Sequence, residues 1–149
     1  MTQYKTSQEN RQKNPLEELI EDESQASARG DSLLKDLLKP YVYIGQDTKS
    51  ARFRDEAFSL SSKVKVLLLF MAKLAQKRLE IIKNESISQK EAIDFFSPHG
   101  VPEGTVKISL KQLRDERLIS KTSEGRYSTG LDKLARIQQE FNKYGRKTD

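Results

Sequence analysis

The chain has no cysteine and no tryptophan, and a single histidine, His99, among its 149 residues. Without cysteine there is no disulfide framework, no thiolate zinc site and no thiol nucleophile, a usage in keeping with a reducing compartment. One histidine leaves metal binding to carboxylates alone, and no metal site or cofactor site is expected. No long hydrophobic run is present either. The greasiest stretch, VKVLLLFMAKLA at 64–75, is broken by Lys65 and Lys73 and falls well short of the roughly 20 apolar residues that span a bilayer. The first 30 residues have neither the apolar heart of a signal peptide nor the acid-poor composition of a transit peptide. A cytoplasmic protein with no membrane partner is therefore expected. P-loop, dinucleotide-binding and zincin motifs are all absent. His99 sits in a Pro-His-Gly turn with no nucleophile beside it, so an enzyme is not expected.

What the chain does contain is charge, unevenly spread. Apolar residues make up 35% and charged residues 33%, so the core must be small and concentrated. Residues 1–30 carry four basic against six acidic side chains, residues 31–57 balance, and residues 58–149 hold a surplus of seven positive charges. A basic C-terminal part favours polyanionic partners through counterion release.

Composition divides the chain. Residues 1–30 are polar, with only PLEELI as an apolar stripe, and are expected to be a disordered arm. Over 31–58 a helix/strand extension is expected to pack on the core or on a partner. In DSLLKDLLKP, Asp31 is the expected N-cap, Leu33, Leu34, Leu37 and Leu38 share a face, and Pro40 is the stop; YVYIG follows as a strand. The segment SLSSKVKVLLLFMAKLAQKRLEII predicts a helix that is apolar almost all round. Such a helix must be covered on both sides, by the rest of the chain or by a second copy.

In ESISQKEAIDFF, Ser88 and Glu91 have the spacing of a capping box that starts a second helix near Gln89. Pro98 and Gly100 end it. The spacing of GVPEGTVKISLKQLRDERLI then predicts a third helix over 102–118, with Val106, Leu110 and Leu113 inward and Gly104, Thr105, Ile108, Lys111, Gln112 and Asp115 outward. LISKTSEGRYST reads as a hairpin over 120–129 with Lys121 and Arg126 near its tip. A last helix in 131–149 aligns Leu131, Leu134, Ile137, Phe141 and Tyr144, followed by a basic tail with Arg146 and Lys147. The fold class is thus mainly α with a small β-hairpin.

Through GVPEGTV, the alternation VKISLKQLRDERLI and the hairpin SKTSEGRY, the region 59–130 resembles the winged helix-turn-helix superfamily of prokaryotic regulators. Gly100 and Val101 match that family's turn, and Thr105, Val106 and Leu110 match its recognition helix. The resemblance implies a winged helix-turn-helix with an N-terminal extension and a C-terminal helix. It also implies sequence-specific binding of double-stranded DNA in transcription regulation. Thr105, Lys107, Ile108, Lys111 and Gln112 would approach the major groove, and Lys121 and Arg126 would touch phosphates. Pairing of two copies through the C-terminal helix, and a protein partner for the N-terminal region, are further expectations. The alternative is a winged helix serving as a protein-interaction module, with Ile108 in an apolar contact surface.

Overall fold

A computed structural model describes residues 14–20 and 22–145, with side chains up to Lys143. Residues 1–13, the tail with Arg146 and Lys147, and the side chain of Tyr144 lie outside the described residues.

A short 3-10 turn, Pro15–Leu19, precedes α1 (Glu23–Leu38). The helix starts eight residues before Asp31, inside the segment expected to be disordered. Asp22 is its N-cap, accepting from the Ser24 amide at 2.9 Å, and the two alanines of ESQASARG favour the helix. Asp31 is not a cap; it lies inside α1 and pairs with Arg78 at 2.8 Å. Gly30 sits in α1 where a Cβ would come within 3.0 Å of Leu131, so its lack of a side chain lets the turn at Leu131–Lys133 approach closely.

Strands β1 (Val42–Ile44) and β2 (Ala51–Phe53) form an antiparallel pair, Val42 opposite Phe53. They lead to α2 (Ser62–Arg78), capped by the Ser61 hydroxyl on the Val64 amide, with Lys77 and Arg78 complementing the dipole at its other end. Ten of its residues are buried, and the chain itself covers both sides. Helices α1 and α4 (Glu103–Asp115) and strand β2 all pack on it. Leu34 and Leu38 reach the core from α1. Glu80, at φ 63°, ends the helix in a left-handed turn in which the Ile81 amide returns to the Gln76 carbonyl.

The capping box forms as its spacing predicts. The Glu91 amide donates to the Ser88 hydroxyl at 3.1 Å and the Ser88 amide donates to the Glu91 carboxylate at 2.8 Å. Helix α3 (Gln89–Phe96) follows, then a 3-10 turn and Gly100 in the left-handed region at φ 79°. Ile87–Ser88 is itself a strand, β3, which no sequence pattern announced. It joins β4 (Ser120–Lys121) and β5 (Arg126–Ser128) in an antiparallel sheet of order β3-β5-β4. The hairpin turns at Thr122–Gly125, with Gly125 at φ 83°.

Helix α5 (Leu134–Glu140) and the wider turn Phe141–Gly145 close the molecule. Leu134, Ile137 and Phe141 are buried in the chain's own core, Phe141 against Tyr41 at 6.0 Å between ring centroids. The apolar stripe proposed for pairing two copies is thus used internally. Lys63 at the start of α2 bridges Glu116 at 2.8 Å and Glu140 at 2.9 Å, tying α2 to the ends of α4 and α5.

Candidate nucleic-acid interface

The geometry of α4 follows from how it begins. Gly100 reverses the chain, Val101 is buried as an anchor, and Pro102 enters the helix in extended conformation as an N-cap without a side-chain acceptor. Val106, Leu110 and Leu113 then fall on the core side and are completely or almost completely buried. Each such side chain contributes on the order of 1.5–3 kcal/mol, which fixes the rotation of the helix. The opposite side is left open to solvent. Lys107, Ile108, Lys111 and Gln112 are exposed and Thr105 is half-buried. Ile108 is 61% exposed. Its neighbours one turn away are Gly104, Thr105, Lys111 and Gln112, so it stands alone in a polar surface.

The two lysines of this face are paired along the helix. Lys107 meets Glu103 at 3.0 Å and Lys111 meets Asp115 at 2.9 Å, all four side chains being about half exposed or more. Pairs of this kind stabilise a helix by about 0.3–0.5 kcal/mol. That is too little to hold the ammonium groups against a closely approaching phosphate. Over residues 103–124 five Lys or Arg stand against four Asp or Glu, so the face is only weakly positive.

Lys121 and Arg126 part company. Lys121 is exposed on β4, its ammonium 5.6 Å from the centroid of the Tyr127 ring, an arrangement that steadies the side chain without neutralising it. Arg126 turns toward the body of the molecule. Its guanidinium donates to the Ser86 hydroxyl at 2.9 Å, the Ser86 carbonyl at 2.7 Å and the Glu91 carboxylate at 3.1 Å. It therefore locks β5 to the segment before β3 and to the capping box of α3. The Glu91 carboxyl is held below the usual glutamate range, first by the Ser88 backbone amide and then by the charge of Arg126.

Lys90, which the sequence did not single out, lies on the first turn of α3 and is highly exposed, paired with Asp94 at 2.9 Å. Helix α3 packs against α4, so Lys90 extends the set of exposed cations onto the neighbouring helix. Its signal in the sequence was its place on the polar side of a short capped helix. His99 lies in the turn against Phe58 and Phe95, at 5.0 and 5.6 Å between ring centroids. Among the described residues no group of three or more Asp, Glu or His is placed to hold a metal ion, and no helix is long and apolar enough to cross a membrane.

Comparison of the chain with protein-family models, with curated proteins and with solved structures finds no match.

Proposed function

We propose that the chain is a sequence-specific double-stranded DNA-binding protein of winged helix-turn-helix type, acting in transcription regulation, with α4 as the reading helix. The element order supports this reading. Helix α2, strand β3, helices α3 and α4, and the hairpin β4-β5 follow one another, with β3 paired to β5. The observation that carries it is the bare outer side of α4, which the hairpin follows in the chain. Thirteen helical residues extend about 20 Å with a diameter near 10–12 Å, which suits a major groove about 12 Å wide. In this reading Gln112 and Thr105 meet base edges, since amide and hydroxyl groups can both donate and accept there. Ile108 offers an apolar contact of the kind a thymine methyl accepts. Lys107, Lys111 and Lys121 exchange their weak contacts for phosphates, while Arg126 holds the hairpin in place.

One observation favours a second reading, a protein-interaction module: the near-balance of charge over 103–124. The isolation of Ile108 weighs against it, because a protein contact of useful strength needs a contiguous apolar patch.

Selection from a random duplex pool tests the proposal. A defined motif should emerge, and Gln112→Ala should change the preferred base at one position by about 1–3 kcal/mol. Recovery of no motif, together with a Gln112→Ala variant indistinguishable from the parent chain, favours the protein-interaction reading.

A further inference from the structure

Six large apolar side chains are exposed among the described residues. One is Ile108. The other five fall in two places. Leu16, Leu19 and Ile20, between 65% and 79% exposed, lie on the 3-10 turn Pro15–Leu19 and the residue after it. Leu79 and Tyr43, at 61% and 42%, lie at the edge of a groove of about 440 Å³ between α1, β1 and the end of α2. The groove is floored by Leu34, Leu38, Val42 and Ala75. Lys35, Lys39 and Arg78 stand around it against one lining carboxylate, Asp31, which Arg78 engages. The arm has the opposite charge. Glu17 and Glu18 lie between Leu16 and Leu19, and Glu21, Asp22 and Glu23 follow.

Two apolar surfaces of opposite charge, both exposed among the described residues, are natural occupants of each other, but length keeps a chain's arm from most of its own groove. The groove begins at Asp31, nine residues past the N-cap Asp22, which is about 13 Å along the helix. In its 3-10 form the five-residue turn spans about 10 Å and the two connecting residues add at most about 7 Å, so folded back along α1 it reaches the groove's rim at Asp31 but not its far end at Leu38, about 24 Å from Asp22. A second copy has no such limit. We propose that the acidic, leucine-bearing arm Pro15–Leu19 with Ile20 docks into the α1-β1-α2 groove of a second copy of this chain. Through a two-fold axis each copy gives one arm and receives one. Two small contacts made together reach an affinity that neither has alone. This places the pairing on the N-terminal side, away from α5, and leaves α4 free in each copy. It stands independently of DNA binding.

The absence of cysteine makes the test clean. Full-length Leu19→Cys and Leu79→Cys variants are mixed and mildly oxidised. A disulfide-linked dimer carrying one copy of each variant should form well above the level in either variant alone. A mixture that gives no excess overturns the proposal. So does a Leu19→Cys/Leu79→Cys double variant that closes only within one chain, which would mean that the arm serves its own groove. Sedimentation of the unaltered chain should give a monomer–dimer equilibrium, weakened at least about tenfold by Leu16→Ser/Leu19→Ser/Ile20→Ser, with an unchanged far-ultraviolet dichroism spectrum. Lys35→Glu/Lys39→Glu should weaken it too, and Glu17→Lys/Glu18→Lys in the partner should restore it. A monomer at every concentration, or a dimer indifferent to the arm substitutions, refutes the docking.

Discussion

Replacing Arg126 by alanine separates a structural post from a phosphate contact. The guanidinium is about one-third exposed and donates three hydrogen bonds, two of them to Ser86, a residue that is itself buried. Hydrogen bonds from a charged donor contribute about 1.5–3 kcal/mol each when buried. At this exposure solvent returns much of that to the groups left behind, because the Glu91 carboxylate is open to water and keeps the Ser88 amide. The Ser86 hydroxyl also keeps its bond to Asn84 at 2.8 Å. The Ser86 carbonyl loses most. A net loss of about 2 kcal/mol follows, on the order of 4–8 °C in melting temperature for a chain of this size. Arg126→Lys, with a point charge in place of a fork, should recover less than half of it. Urea denaturation at neutral pH followed by circular dichroism measures the loss. Duplex binding as a function of salt, at a temperature where the variant is folded, measures the other role. A stability loss below about 0.5 kcal/mol refutes the clamp. A salt slope reduced by about one would instead make Arg126 a phosphate contact, as the family resemblance implies.

Glu91 supplies a pH test of the same network. Its folded-state pKa is depressed, by the Ser88 amide first and Arg126 after it. Its contribution is therefore present above the ordinary glutamate pKa and lost as pH falls through the lower folded value. Glu91→Gln should flatten the acid limb of a stability–pH curve, and an unchanged limb contradicts the assignment. Burial pushes the Lys63 ammonium down, but Glu116 and Glu140 outweigh it and hold its pKa above the ordinary lysine range. Its contribution is present below that range and lost as pH rises through the folded value. Lys63→Met should cost about 1–2 kcal/mol at neutral pH, by leaving the largely covered Glu140 without its cation, as read by chemical denaturation. Glu80 has left-handed backbone with a side chain at φ 63°, so Glu80→Gly should raise the melting temperature, by about 0.5–1 kcal/mol of stability. Gly100→Ala should do the reverse by about 1 kcal/mol or more, since φ is 79° there although nothing crowds the position.

The helices were legible where apolar spacing and capping agreed. The Ser88–Glu91 box placed the start of α3 at Gln89, and Val106, Leu110 and Leu113 set the rotation of α4 because they line up on one face while Ile108, the other large apolar residue of the helix, stands apart. The start of α1 was not legible. Asp22 and Asp31 are both acceptable caps, and only the contacts of Gly30 with Leu131 and of Asp31 with Arg78 decide between them. Strand β3 was hidden for a related reason: two residues carry no periodicity, and their pairing with β5 is a long-range fact. The same pairing turned Arg126 inward, since an arginine in a hairpin reads as a surface cation until Ser86 and Glu91 are known to lie beneath it. The apolar surround of α2 left two coverings open in the sequence, and α1, β2 and α4 supply one within the chain.

The salt dependence of duplex binding tests the α4 reading most directly. If Lys107, Lys111 and Lys121 each meet one phosphate, the logarithm of the binding constant should fall against the logarithm of salt concentration with a slope of about −2.7 per copy. Lys107→Ala/Lys111→Ala should bring that slope to about −0.9 without loss of fold, because each lysine gives up only an exposed pair. A slope left unchanged by the double substitution, or no binding to duplex at low salt, would contradict it.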